Sequence, residues 1–250
     1  LKEAEDLGME VILSNDPDAD RIGLVAKRNG TWELMSGNDL AALTLDYLCS
    51  QRGLTGVVIS TVVTSDLLAE VARFHRLPAR WTLTGFKNIA ACMDRLEAQG
   101  LDYAFSAEES YGMLLSSTIR DKDGVTAALL VGEMVGHFKA LGLGPYEAVE
   151  ALQRKVGTFH NRLVNLEDPR PGGAQRFAEA MGRIRAAGLT RLAGEAVASW
   201  EDFQACEWHG PAGEVEPILD RPDQRDPARP IDRSNVLKFR LASGAFAAFR

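Results

Sequence analysis

Cysteine is scarce, with three residues at 49, 92 and 206 of a 250-residue chain. An odd number so widely spaced excludes the disulfide framework of a small secreted domain and fits a reducing cytoplasm. Cys49 and Cys92 fall in apolar helical patterns and read as packed thiols. Histidine is nearly as rare. His75, His137, His160 and His209 show no metal-ligand spacing and read as core or surface residues. Long apolar runs are missing. The longest stretches, such as 125–135, contain Gly and Thr, and none approaches the roughly 20 residues a membrane span needs. An excess of positive charge is missing too: the net charge of −7 disfavours general nucleic-acid binding. The opening residues, with Lys2, Glu3, Glu5 and Asp6, do not read as a secretory signal. Neither nucleic acid nor a membrane is therefore an expected partner. What is present is an ordinary globular composition, 46% apolar and 25% charged, with enough chain for one or two domains and a real core.

The pattern alternates. Residues 2–7 read as a helix tail, and 11–13 and 22–26 as apolar runs around a polar loop. Asn29-Gly30 is a type I′ turn signal returning a strand at 31–35. Gly37-Asn38-Asp39 offers an N-cap for a helix over 40–49, and 56–63 is a β-branched, buried strand. Ser65-Asp66 caps a helix through Phe74, followed by a strand at 79–83, a helix at 87–99, a strand at 102–105 and a long helix at 124–140. Strands alternating with helices predict an α/β sandwich on a mixed or parallel sheet, with chemistry in the loops at the strands' carboxyl ends. Beyond a breaker at 142–145, a helix over 146–155 is expected to lead to a different unit. There 158–165 alternates like a strand, 173–187 is amphipathic, 211–230 reads as a Pro-rich surface loop with 221–233 solvated, and 236–250 forms a hairpin. Three parts follow: 1–32, an α/β domain over 33–145, and a partial α+β domain over 146–250. The chain reads as a fragment of a longer protein.

The most informative segment is Asn15-Asp16-Pro17-Asp18-Ala19-Asp20-Arg21, with three carboxylates at alternate positions. Two unit charges about 4 Å apart repel by about 4 kcal/mol at an effective dielectric near 20, so such crowding implies a cation. Oxygen-only donors select a hard ion, Mg²⁺ or Ca²⁺. An EF-hand from Asp16 fails, because Arg21 and Lys27 stand where Gly and Glu are required. A phosphatase with Asp16 as nucleophile stays open, although Asp20 stands where its usual pattern has Thr. A solvated acidic turn is the bland alternative. Arg21 adds a donor fork shaped for phosphate.

With these residues in view, 15–21 resembles the metal loop of the α-D-phosphohexomutases, the phosphoglucomutase/phosphomannomutase family. Three more segments match in order. They are Thr84-Gly85-Phe86-Lys87, the sugar-recognition loop Glu108-Glu109-Ser110-Tyr111-Gly112, and Arg120-Asp121-Lys122-Asp123-Gly124. The match lies closest to the phosphoglucomutase branch, with phosphomannomutase or another hexose-phosphate mutase as alternatives. The resemblance implies four domains around a cleft. This chain would hold the end of the second, all of the third and most of the fourth. The serine loop of the first domain would precede Leu1, and the Arg-x-Ser-Gly-Thr-Glu loop would begin near Arg250. A piece without them is expected to be inactive, or to act only as a sugar-phosphate or Mg²⁺ binding module.

The resemblance further implies transfer of phosphate between the 1- and 6-positions of a hexose phosphate. An enzyme phosphoserine and a sugar bisphosphate intermediate would serve the transfer, with the missing amino-terminal domains as partners. Mg²⁺ would sit on Asp16, Asp18 and Asp20, with a fourth ligand from the phosphoserine. Arg21 and Lys122 would act on the transferring phosphate as catalytic residues. Glu108 and Ser110 would recognise sugar hydroxyls, and Thr84, Gly85 and Lys87 would line the substrate pocket. Glu109 is left between ligand and solvated residue.

Overall fold

A computed structural model describes residues 1–218 and 233–250. The chain divides into two compact units, 1–162 and 163–250.

Unit 1 opens with a short helix, α1 (Lys2–Asp6), and an antiparallel meander, β1 (Val11–Asn15), β2 (Ile22–Arg28) and β3 (Thr31–Leu34). The β2–β3 turn has Asn29 at φ 50° and Gly30 at φ 80°, both central residues left-handed as a type I′ turn requires. Next come α2 (Gly37–Arg52), β4 (Val57–Thr61), α3 (Asp66–Phe74), β5 (Ala79–Thr82), α4 (Phe86–Ala98), β6 (Tyr103–Ala107), β7 (Met113–Leu114), α5 (Gly124–Ala140) and α6 (Pro145–Val156). The second sheet runs β5-β4-β6-β7, parallel throughout except for antiparallel β7. The central strand β4 is buried along its whole length, as a parallel strand covered on both faces must be. Its alternate side chains serve two cores. Val58 joins α2, α3, α5 and α6, whereas Val57 and Ile59 meet α4 through Ile89, Met93 and Leu96. Helices on both faces make the sandwich that the strand–helix alternation implies.

Several local expectations shift. Helix α2 is capped by Ser36, whose Oγ accepts from Asp39 N at 3.1 Å, one residue before Gly37-Asn38-Asp39. Strand β7 is too short to leave a periodic signal, yet it turns the chain from β6 towards α5. Helix α6 does not lead into a different unit: Ala148, Val149 and Leu152 are buried in the first core, so the boundary falls after residue 162 rather than 145. Residues 158–165 form no strand despite their alternation. Among the described residues no single helix is long and apolar enough to cross a membrane.

Unit 2 contains α7 (Gly173–Ala187), β8 (Arg191–Leu192), β9 (Glu195–Asp202), β10 (Glu207–His209), β11 (Val215–Pro217), β12 (Leu237–Leu241) and β13 (Phe246–Phe249). The order is β11-β10-β9-β12-β13, with β8 on β9, and every pairing is antiparallel. Met181 and Ile184 of α7 cover Leu237, Phe239 and Trp200, and Arg185 pairs with buried Asp202 at 2.7 Å. The expected hairpin is β12–β13. The stretch 211–230 is not loop throughout, since β11 begins at Val215. Residues 211–214 do form a turn, whereas 219–230 of that expected loop, and 221–233 apart from Arg233, lie outside the described residues.

Candidate active site

The site assembles at the carboxyl ends of the parallel strands of unit 1, where such sheets bind ligands. The loop between β1 and β2 is shaped by its own residues. Asn15 Nδ2 donates to the Arg21 carbonyl at 2.7 Å, Ala19 N to the Asp16 carbonyl at 2.9 Å, and Ala19 itself is left-handed at φ 57°. The result gathers Asp16, Asp18 and Asp20, with one carboxylate oxygen of each within 4.8 Å of the others.

Two cationic side chains balance this trio. Arg21 donates to both oxygens of Asp16, from its backbone N at 3.1 Å and from Nε at 2.5 Å, and lies 3.3 Å from Asp20 Oδ1. Desolvation works to raise the Asp16 pKa, but the hydrogen bonds and charge of Arg21 outweigh it and hold the carboxyl below its usual value. Lys122, arriving from the loop before α5, places Nζ 2.8 Å from Asp20 Oδ2 and 3.7 Å from Asp121. Desolvation works to lower its pKa, while the bond to Asp20 and the charges of Asp20, Asp121 and Glu108 raise it. Asp20 Oδ1 is buried without a hydrogen-bond partner. A buried carboxylate oxygen with no hydrogen bond, its nearest cation Arg21 Nε at 3.3 Å, fits a hard divalent cation inside an all-oxygen donor set.

The second loop lies against the first. Ile22 N donates to the Tyr111 carbonyl at 3.2 Å, and Arg21 and Gly112 form an isolated antiparallel bridge. Glu108 N closes the turn on the Gly112 carbonyl at 2.9 Å, with Tyr111 left-handed at φ 73°. Glu108 is buried, and its Oε1 accepts from Gly85 N at 2.6 Å. That bond ties the loop after β5 to the loop after β6. It also engages the Gly85 amide, so that of Gly85 the backbone N–H is taken by Glu108. Thr84 and Ser110 are half-buried, and Lys87 is exposed with its Cγ close to Gly85. Arg120 points away into ion pairs with Asp94 and Glu97 on α4.

Some contributors left little trace in the sequence. Glu109 is buried beside the Thr61 and Thr64 hydroxyls at the end of β4, at 3.5 and 3.4 Å, so it braces the loop instead of meeting solvent. Phe86, the buried first residue of α4, lies under Lys122 with Nζ 5.2 Å from the ring centroid. Two glycines permit close approach. A Cβ on Gly112 would lie 2.5 Å from Lys122 Cδ. One on Gly124 would lie 2.5 Å from Asn15 Nδ2 and 2.7 Å from the carbonyls of Ala19 and Arg21. Asp-Gly before an apolar helix was the available signal for Gly124; for Phe86 it was only its place in the matched segment 84–87, which did not point to Lys122.

Residues 36–154 match the family model described as phosphoglucomutase/phosphomannomutase, alpha/beta/alpha domain III. Among curated proteins, the chain is 26% identical over 250 residues to a phosphoglucomutase of Staphylococcus haemolyticus, covering 99% of this chain and 44% of that protein. It is 30% identical over 198 residues to a phosphoglucomutase of Staphylococcus epidermidis, covering 78% of this chain and 36% of that one. A probable phosphomannomutase of Haemophilus influenzae is 29% identical over 205 residues, covering 81% and 40%. The chain thus spans less than half the length of these relatives. Its fold resembles the crystal structure of the Paramecium phosphoglucomutase parafusin in its open form, with TM-score 0.57 and 20% identity over 97% of this chain and 38% of that one. Set between the acidic loop and the second unit, residues 36–154 thus belong to domain III of the phosphoglucomutase/phosphomannomutase family.

Proposed function

We propose that this chain is the metal-loop and sugar-recognition portion of a cytoplasmic phosphoglucomutase, interconverting glucose 1-phosphate and glucose 6-phosphate. The observation that carries the reading is the pairing of Arg21 with Gly112, which sets the acidic trio beside the Glu108 and Ser110 loop. Relatives named phosphoglucomutase support glucose as the hexose, and the probable phosphomannomutase among them keeps mannose as the alternative.

Asp16, Asp18 and Asp20 would hold Mg²⁺, which when bound supplies Lewis-acid polarisation of the transferring phosphoryl group. The chain's own groups position and neutralise, as phosphoryl transfer chiefly requires. Arg21 presents a planar fork to phosphate oxygens, and Lys122 adds a point charge beside it. Glu108 accepts from adjacent sugar hydroxyls, and Ser110 both donates and accepts. Thr84, Gly85 and Lys87 line the approach from the neighbouring loop. The amino-terminal part of the longer polypeptide would bring the donor phosphoserine.

The test is conversion of glucose 1-phosphate by the full-length polypeptide, wild type beside Asp18→Asn, with inorganic phosphate followed in parallel. Asp18 is exposed, so the variant should fold normally and lose at least about tenfold in turnover by the usual cost of a lost charged ligand. Undiminished isomerisation by the variant would remove the metal from the reading. Phosphate release outrunning isomerisation would establish a phosphatase instead.

A further inference from the structure

We propose that Lys122 is a built-in counter-ion of the acidic loop, displaced from Asp20 when a divalent cation enters, so that its ammonium turns to phosphate only in the metal-loaded protein. This rests on the metal reading above and adds an order to it: cation first, phosphate second.

The oxygens a cation needs are already covered. Arg21 holds both oxygens of Asp16, and Lys122 holds Asp20 Oδ2, which leaves Asp20 Oδ1 as the buried oxygen without a hydrogen bond. Two of the loop's three negative charges are therefore balanced from within, which lets three carboxylates crowd together before any ion arrives. A divalent cation among them repels an ammonium paired to one of its ligands, so ion and lysine compete for Asp20.

The stem of Lys122 is held independently of Asp20. Its stem crosses Gly112 where any side chain would collide with Cδ, and its ammonium rides over the Phe86 ring at 5.2 Å. The acids acting on its charge are Asp20, Asp121 and Glu108. Asp20 and Asp121 are the ion-pair partners, and Glu108 belongs to the sugar-recognition loop. Release from Asp20 thus leaves the ammonium over the Phe86 ring, with its stem still against Gly112.

The experiment measures Mn²⁺ binding to the full chain by the electron paramagnetic resonance signal of the free ion, for wild type and Lys122→Met, which keeps the stem over Phe86 and removes the charge. The variant should bind Mn²⁺ about three- to tenfold more tightly, the scale of removing one screened competing charge. Equal or weaker binding, with an unchanged near-ultraviolet circular dichroism spectrum, overturns the proposal while leaving the metal reading intact. Binding by neither protein overturns the metal reading itself. A second readout needs no charge-removing variant. After ¹³C-dimethylation of the lysines of wild-type protein, the Lys122 resonance, assigned by its absence from Lys122→Arg, should shift on adding Mg²⁺. A Lys122 signal indifferent to Mg²⁺ overturns the counter-ion role.

Discussion

Glu108 Oε1 accepts a hydrogen bond from Gly85 N at 2.6 Å, joining two loops that lie 23 residues apart in the chain. The pair ties the end of β5 to the end of β6. Gly85 itself sits at φ 105°, a conformation that L side chains rarely adopt.

The Glu108–Gly85 bond separates structure from recognition. Glu108→Gln keeps an oxygen acceptor for the amide and should leave stability nearly unchanged. Glu108→Ala leaves the amide unpaired and should lower unfolding free energy by about 1–2 kcal/mol. Urea unfolding of the two variants checks this, and equal stability of the alanine and glutamine forms contradicts it. Both should lose turnover in the full-length polypeptide, because each removes the negative charge.

Gly124 carries the contact between α5 and the acidic loop. A methyl group there meets Asn15 Nδ2 and the carbonyls of Ala19 and Arg21 at 2.5–2.7 Å. Gly124→Ala should cost about 1–3 kcal/mol, the range for overpacking a close contact, and should weaken Mg²⁺ binding by displacing the loop that bears the trio. Calorimetry can measure both effects. A variant as stable as wild type would show that loop and helix are not held together as described.

Asp123 caps α5, accepting from Val125 N at 3.1 Å, from Thr126 N at 3.0 Å and from the Thr126 hydroxyl. The Thr126 bonds hold its carboxyl below the ordinary carboxylate pKa. A depressed folded-state pKa contributes stability that is present above the ordinary value and fades as pH falls through the lowered one. Asp123→Ala should therefore cost about 1 kcal/mol near neutral pH, as lost caps do, and the gap to wild type should close in acid. A gap that persists at the lowest pH where the fold survives would assign the effect to something other than the charged cap.

Much was legible because its cause is local. The Asn29-Gly30 turn, the Ser65 cap and the start of α5 after Asp123 follow from short-range sterics and hydrogen bonding. The β4 strand declares itself by continuous burial-prone residues, and the acidic trio by repulsion that demands a counter-charge. Less legible were β7, whose two residues carry no period, and the stretch 158–165, whose alternation forms no strand. The place of α6 was hidden too, because an amphipathic helix shows that it has a buried face, not which core receives it.

The sequence by itself determined the strand–helix alternation of unit 1, the carboxylates and cations of the site, and the turns between them. These depend on periodicity, charge and backbone preference within a few residues. Only the tertiary structure decided which cation answers which acid. It brought Lys122 to Asp20, Phe86 under Lys122, Glu108 to Gly85 and Glu109 to Thr61 and Thr64. The physical reason is that these partners lie tens of residues apart: the closing of β5, β4 and β6 into one sheet brings the loops of Thr61, Gly85 and Glu108 to a common edge, and the Arg21–Gly112 bridge sets the β1–β2 loop beside them.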